Sequence, residues 1–273
     1  MKKSTRDSII ILVVLLGAAY LLRDHIMQFI HPTVQVETLR EVAKVEPTPT
    51  PLPTPTPSAT PTPNAGLDVP KNAADKNLPT VDESDSSIQG EFIRLFGKNI
   101  FEAVFNPQDI ILHIVTTVYN ATGKQLPAQY LPVKSPENKF SVKTKNHTPF
   151  INIKNYRRYT PYVNLAEAVD MKALVTVYTR FYPLFQSAYK DLGTTDDFNH
   201  RLVTVIDNLL ATPKIKGPIK LTQKSVIYYQ YANPKLEKLS AAQKILIRMG
   251  PDNANRIEKK LKELRDLLTH FTK

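Results

Sequence analysis

Paired carboxylates are the first residues of this chain whose spacing suggests chemistry. Enzymes that cleave glycan polymers use two such groups, and Glu167 with Asp170, or Asp196 with Asp197, provide pairs at short spacing. Asp170 and Asp197 stand just before predicted helices, where a carboxylate accepts free N–H groups and favours the positive end of the helix dipole. Capping explains these two residues, so the catalytic interpretation rests on Glu167, with Tyr159 as a second candidate.

Histidine and cysteine patterns predict no metal site. The chain has no cysteine, which excludes disulfides, thiolate zinc sites and cysteine nucleophiles. The six histidines include no pair at the spacing of helical metal ligands, and a site assembled from the distant His113, His147 or His200 is the alternative. Motifs that bind phosphate or dinucleotides, and the HExxH and GxSxG motifs, are absent. We predict no cofactor and no metal, and leave any catalytic residues unassigned.

The most unusual feature is a basic segment from Lys134 to Arg158. Its 25 residues carry seven cationic side chains against the carboxylate of Glu137 alone, a net charge of +6. Aromatic residues are interleaved with the cations, which in a cytoplasmic protein would favour nucleic-acid binding. A solvated loop that only keeps the protein soluble is the alternative. The predicted anion-binding residues are Lys143, Lys145, Lys154, Arg157, Arg158 and Tyr159.

The N-terminus carries a membrane signal. Cations at positions 2, 3 and 6 precede fourteen uncharged, mostly apolar residues, 9–22. As a helix this run spans roughly 21 Å, less than the bilayer core of about 30 Å, so we predict a longer transmembrane signal-anchor helix over 8–30. Residues 1–7 then form a basic cytoplasmic start. A cleaved signal peptide is the alternative, although no small-x-small cleavage site follows the apolar run.

A proline-rich linker is predicted over residues 31–77. Eight of the 22 prolines lie within 47–63, where they alternate with Thr, Leu, Ser or Ala. Each proline fixes its own φ and keeps its predecessor out of the helical region, which predicts an extended polyproline II rod of roughly 50 Å. We interpret the rod as a spacer; a ligand for a proline-recognising domain and a glycosylated stalk are the alternatives.

The remaining residues, 78–273, are predicted to form one mainly α domain, compact and multi-helical, with one or two small β-hairpins. The helix signals are local. Asp170 is a predicted cap, Thr194 and Asp197 resemble a capping arrangement, and Ser240 with Gln243 forms a capping box. Further predicted signals are a helix start at Asn106-Pro107, a kink before Pro183, and a break at Gly250-Pro251.

Strand and aromatic patterns complete the predicted domain. Residues 140–142 are expected to pair with 150–153, and 219–221 with 226–231. An aromatic stripe on one predicted helix could form a carbohydrate platform, but its helical spacing favours a core face. The stripe consists of Tyr178, Tyr182, Phe185 and Tyr189.

Several long motifs of the domain resemble a known family. They are LPTVDESD (78–85), NYRRYTPYV (155–163), VYTRFYPLFQSAYKDLG (177–193), FNHRLVTVIDNLLATP (198–213) and LEKLSAAQKILIRMGPDNANRIEKKL (236–261). The chain is similar over residues 78–270 to the DUF3014 family of Gram-negative bacteria, with residues 86–150 matching only loosely. The resemblance implies a membrane-tethered envelope domain and supplies no catalytic residues. Candidate motif positions are Arg158, Tyr159, Arg201, Asp207, Arg248 and Asn253.

These features predict a single-pass protein of the inner membrane, with its N-terminus cytoplasmic and its C-terminal domain periplasmic. The formal net charge is +11, of which residues 81–273 carry +10. Outside the inner membrane the available anions are lipid headgroups, lipopolysaccharide phosphates, peptidoglycan carboxylates and acidic protein surfaces, so nucleic acid is not expected. We predict a binding or scaffolding domain that contacts an anionic envelope component or a partner protein. The alternatives are a tethered hydrolase that modifies an envelope polymer and a subunit of a larger envelope machine.

Overall fold

The structure is a computed structural model that describes residues 69, 77–137, 139–225 and 228–270. The predicted anchor over 8–30 and nearly all of the predicted linker lie outside these residues. Among the residues that are described, no helix combines the length and apolar character needed to cross a membrane.

The described residues form nine α-helices and two small antiparallel hairpins, which confirms the predicted mainly α class. The helices are α1 (Asp85–Phe96), α2 (Lys98–Val104), α3 (Ile110–Asn120), α4 (Lys154–Glu167), α5 (Met171–Asp191), α6 (Phe198–Leu210), α7 (Pro234–Glu237), α8 (Ala241–Met249) and α9 (Pro251–Thr269). The strands are β1 (Val142–Lys145), β2 (Thr148–Ile151), β3 (Leu221–Ser225) and β4 (Tyr228–Tyr231). Helix α9 packs against α4, α5, α6 and α8.

Helix starts follow the predicted caps in three places. The Asp170 carboxylate accepts hydrogen bonds from the N–H groups of Lys172 and Ala173, at 2.9 and 3.3 Å. Asp197 caps α6 in the same way, and Ser240 with Gln243 forms the predicted capping box of α8. Thr194 is not part of the α6 cap, because its hydroxyl donates to the carbonyl of Tyr189 in the preceding helix. Helix α5 continues through Pro183.

The predicted start of α3 at Asn106-Pro107 is wrong. Asn106 instead pairs with the segment before the hairpins: its N–H donates to the Pro132 carbonyl and its side-chain amide to the Leu131 carbonyl. The helix begins at Ile110, where its free N–H groups are satisfied by a residue of α1. The carboxylate of Asp85 accepts from the N–H groups of Asp109 and Ile110, at 2.8 and 3.0 Å.

The main core contains residues of α1 to α6, α8 and α9, and the aromatic stripe packs in or against it. Tyr178, Phe185 and Tyr189 are buried, and the ring of Phe185 stacks on Phe198 of α6 with centroids 5.6 Å apart. The Tyr178 hydroxyl donates to the side chain of Asn199 at 3.1 Å. The helical spacing of the aromatic stripe therefore indicates a face of α5 that packs in the core, as predicted.

Both predicted hairpins form, although their strands do not keep the predicted bounds of 140–142 with 150–153 and 219–221 with 226–231, and they build a second, smaller core. Val142 lies opposite Ile151 in the first hairpin, and Leu221 lies opposite Tyr231 in the second. Asn146 and His147 both have positive φ, as the favoured two-residue hairpin turn requires. The Ile151 N–H donates to the Ile219 carbonyl at 3.0 Å and joins the hairpins.

Candidate functional site

A groove with a volume of about 1270 Å³ lies where the second core meets the main one. Its walls come from four parts of the chain: the first hairpin, the start of α4, the segment 212–219, and the corner between α8 and α9. Leu246 belongs to the main core and Ile247 to the second core, and both line the groove. Clefts between packed units are common places for ligand sites.

Cations dominate the charged lining of this groove. Six cationic side chains line it against one carboxylate, Glu258, a net charge of +5. Lys214 contacts the Glu258 carboxylate and donates to Asn255 Oδ1 at 2.7 Å, so this cation is held by α9. The six cations are Lys143, Lys145, Lys154, Arg157, Lys214 and Lys216. The other five form no ion pair with the residues that the structure describes, so their charges can attract an anionic ligand.

Apolar side chains form most of the floor between the cations. Phe150, Ile151 and Ile219 come from the hairpin side, and Leu246 and Ile247 from α8. At the rim, Ile153 keeps 72% of its surface exposed, more than any other large apolar side chain among the described residues. The groove is therefore amphipathic, with an apolar floor and a cationic rim.

Asn155 fixes the first hairpin, and with it Lys143 and Lys145, against α4. This fully buried side chain accepts a hydrogen bond from the Ser141 N–H at 2.9 Å. Its amide group donates to the Ser141 and Asn152 carbonyls, at 2.7 and 2.8 Å. The Asn155 side chain thus bonds three backbone groups: it supplies the acceptor for the Ser141 N–H. It also adds a second donor to the Ser141 and Asn152 carbonyls, which already accept from the N–H groups of Asn152 and Asn155.

Gly250 shapes the opposite wall at the corner between α8 and α9. Its φ is 83° and its ψ 162°, a conformation that is nearly restricted to glycine. A Cβ atom here would lie 2.5 Å from ring atoms of Tyr156, which lines the groove. Asn253 links α9 to α4 at the same corner, since its side-chain amide donates a hydrogen bond to the Tyr156 carbonyl at 2.9 Å. Burial raises the pKa of Tyr156, so its hydroxyl stays neutral.

Four of the six predicted site residues line the groove: Lys143, Lys145, Lys154 and Arg157. Arg158 turns the other way, and its guanidinium donates to the carbonyls of Glu137 and Pro136, at 2.9 and 3.5 Å. Burial lowers the pKa of Arg158 from its usual value. Tyr159 is buried in the main core, and burial raises the pKa of its phenol. These two residues support the fold beneath the groove.

Lys214, Lys216 and Ile153 were not among the predicted site residues. The two lysines lie more than fifty residues after the basic segment, and only the fold brings them to the same groove. Their local sequence, PKIKGP, alternates cations with an apolar residue between two prolines, which is the signal that marks them. Ile153 stands between Asn152 and Lys154, and no pattern in the sequence distinguishes it from other apolar residues.

The catalytic candidates do not meet in this groove. Glu167 lies at the end of α4, where its carboxylate accepts from the Arg256 guanidinium at 2.5 Å. This hydrogen bond holds the pKa of Glu167 below its usual range, which favours an ionised carboxylate rather than a general acid. Within the described part of the chain, no three His, Cys, Asp or Glu residues are grouped so that they could hold a metal ion.

A family model supports the resemblance carried by the motifs. The family described as "Protein of unknown function (DUF3014)" matches residues 110–265, from the start of α3 to near the end of α9. The chain belongs to the DUF3014 family. No curated protein and no solved structure matches the chain. In this DUF3014 chain the matched residues contain the whole groove, whereas α1 and α2 precede them.

The other motif positions of this DUF3014 chain hold its elements together. The Arg201 guanidinium donates to Thr122 Oγ1 at 2.7 Å, which ties α6 to the loop after α3. Asp207 accepts from Arg265 at 2.5 Å and joins α6 to α9. The Arg248 guanidinium lies over the Tyr231 ring, 5.9 Å from its centroid, and links the second hairpin to α8. The motifs therefore mark residues of the scaffold as well as the groove.

Proposed function

We propose that this protein is a membrane-tethered binding module whose periplasmic domain holds an anionic component of the cell envelope in the basic groove. The observation that carries the proposal is the groove itself, with six cations around an apolar floor and one carboxylate. Lys143, Lys145 and Arg157 are exposed and form no ion pair within the described residues, so their charge remains available to a ligand.

The sequence supports the membrane part of this proposal. A basic start, an apolar run and a proline-rich spacer precede the domain in that order. An anchor with cytoplasmic cations places the following chain outside the cytoplasm, and a stiff spacer holds a domain away from the bilayer. An alkaline phosphatase fused at Asn64 should be active, whereas a fusion that works only in the cytoplasm should be inactive. The reverse pattern would contradict the periplasmic placement.

Charge reversal in the groove tests the binding function. The fragment 69–273 contains every described residue of both cores, and its binding to washed envelope material can be measured by sedimentation. The test variant carries Lys143→Glu, Lys145→Glu and Arg157→Glu. A matched control reverses three exposed lysines outside the groove: Lys124→Glu, Lys172→Glu and Lys262→Glu.

Binding should fall at least about tenfold in the groove variant and stay within about twofold of the parent in the control. Circular dichroism should show both variants folded, because the reversed side chains are exposed. Binding by the parent should also weaken with added salt, since screening acts on exposed charges. Equal binding by the two variants would contradict the proposed function.

A further inference from the structure

Three prolines in the walls of the groove present no N–H group to a ligand. The segment 212–219 contributes Pro213 and Pro218, which have no N–H group, and Pro251 opens α9 at the other wall. The carbonyl of Ile219 already accepts from the N–H of Ile151. A peptide backbone lying against these residues would leave some of its polar groups without partners, which is costly, whereas an alkyl chain needs no partner.

The rim of the groove combines the two properties that bind an anionic amphiphile. Ile153 is 72% exposed, and the next residue, Lys154, places a cation at the same rim. Isolated exposed apolar residues are common, but this one adjoins an apolar floor that includes Phe150 and Ile215. Apolar contact and attraction to anionic headgroups are the two terms by which proteins bind lipids.

We propose that the ligand of the groove is a phosphate-bearing lipid. Lys143, Lys145, Lys154 and Arg157 hold the phosphate, and an acyl chain lies along Phe150, Ile153 and Ile215. The volume of about 1270 Å³ exceeds the roughly 300–1,000 Å³ of drug-sized pockets, so a headgroup and part of a chain fit together. This inference rests on the proposed function, because it assigns a chemical class to the same anionic ligand.

The test uses the full chain in phosphatidylcholine nanodiscs and a dodecyl phosphate probe that carries a diazirine in its chain. After irradiation, mass spectrometry measures labelling of the peptides that contain Ile153 and Ile215. Five unlabelled competitors are compared: dodecyl phosphate, octyl phosphate, inorganic phosphate, an oligoglutamate peptide and dodecyl maltoside. Dodecyl maltoside has the alkyl chain without the charge.

We expect labelling in the groove peptides that dodecyl phosphate displaces. Full burial of a methylene is worth about fourfold in affinity and half burial about twofold, so four extra methylenes should improve competition at least about tenfold over octyl phosphate. Groove labelling should fall at least about tenfold when Lys143, Lys145 and Arg157 are reversed, and severalfold in Ile153→Gln. The control reversal at Lys124, Lys172 and Lys262 should leave it unchanged.

The outcomes separate this inference from the proposed function. Equal competition by inorganic phosphate and dodecyl phosphate would overturn the acyl-chain contact while leaving anion binding in place. Stronger competition by oligoglutamate would overturn the lipid and favour an acidic protein partner. Equal competition by dodecyl maltoside and dodecyl phosphate, or groove labelling that survives charge reversal, would overturn both the lipid inference and the proposed anion-binding function.

Discussion

Replacing Gly250 with alanine tests how the corner between α8 and α9 shapes the groove. Two costs add at this position. The backbone conformation, with φ 83° and ψ 162°, is strained for a residue with a Cβ and costs about 1–3 kcal/mol. The new Cβ would also lie 2.5 Å from the Tyr156 ring, and overpacking of this kind costs about 1–3 kcal/mol more. We expect Gly250→Ala to lower the free energy of unfolding by roughly 2–6 kcal/mol.

Gly97 provides a matched control for the strain alone. It also ends one helix and begins the next, α1 and α2, with φ 85° and ψ 148°. A Cβ at Gly97 would meet no heavy atom within 4 Å. Gly97→Ala should therefore lower the free energy of unfolding only by the cost of the strained backbone, about 1–3 kcal/mol. The difference between the two variants measures the overlap with Tyr156.

Urea unfolding followed by circular dichroism gives both values, provided that the denaturant slope is unchanged. Adding Tyr156→Ala supplies a double-mutant cycle. Because this change removes the ring that the new Cβ would strike, the cost of Gly250→Ala should shrink by about 1 kcal/mol or more in its presence. Equal losses at Gly97 and Gly250, together with additive effects of the Gly250 and Tyr156 changes, would refute this explanation.

Two further predictions concern stability. Asn155→Ala should lower the free energy of unfolding by roughly 1–3 kcal/mol, because the Ser141 N–H loses its acceptor and the Ser141 and Asn152 carbonyls each lose one of two donors. Asn120→Ala, which removes one bond to a helix carbonyl, should cost less than about 1 kcal/mol by the same urea assay. Equal costs would contradict the role of Asn155. Burial raises the pKa of Tyr231 to about 12, so the unfolded phenol loses its proton near pH 10 while the folded one keeps it. The free energy of unfolding should therefore decrease between about pH 10 and 12, and in Tyr231→Phe this decrease should be smaller by roughly 2–3 kcal/mol. Identical dependence of stability on pH in the parent and the variant would contradict this prediction.

Local signals in the sequence predict the fold well where a cap and its helix are neighbours. Asp197, Ser240 and Gln243 satisfy N–H groups two or three residues away, so their pattern is visible in a short window. The start of α3 is different, because Asp85 caps it from another helix 25 residues earlier. No local pattern shows that contact, and Asn106-Pro107 was the stronger signal nearby.

The candidate site was predictable in part for the same reason. The cations of the first hairpin and of the start of α4 are close in sequence, whereas Lys214 and Lys216 reach the groove only through the fold. The burial of Tyr159 has a local signal. Asn155, Tyr159 and Val163 recur every four residues and form the buried face of α4, which turns Tyr159 away from the cations.

In-cell crosslinking from the groove rim tests the central claim most directly. The full chain would carry a photoreactive amino acid at Ile153, and a control chain would carry it at Tyr119, which is 42% exposed and does not line the groove. We predict an adduct with an anionic envelope component at position 153 alone, which disappears when Lys143, Lys145 and Arg157 are reversed. Identical adducts at both positions, or an adduct at 153 that survives the reversal, would contradict the claim that the basic groove binds the ligand.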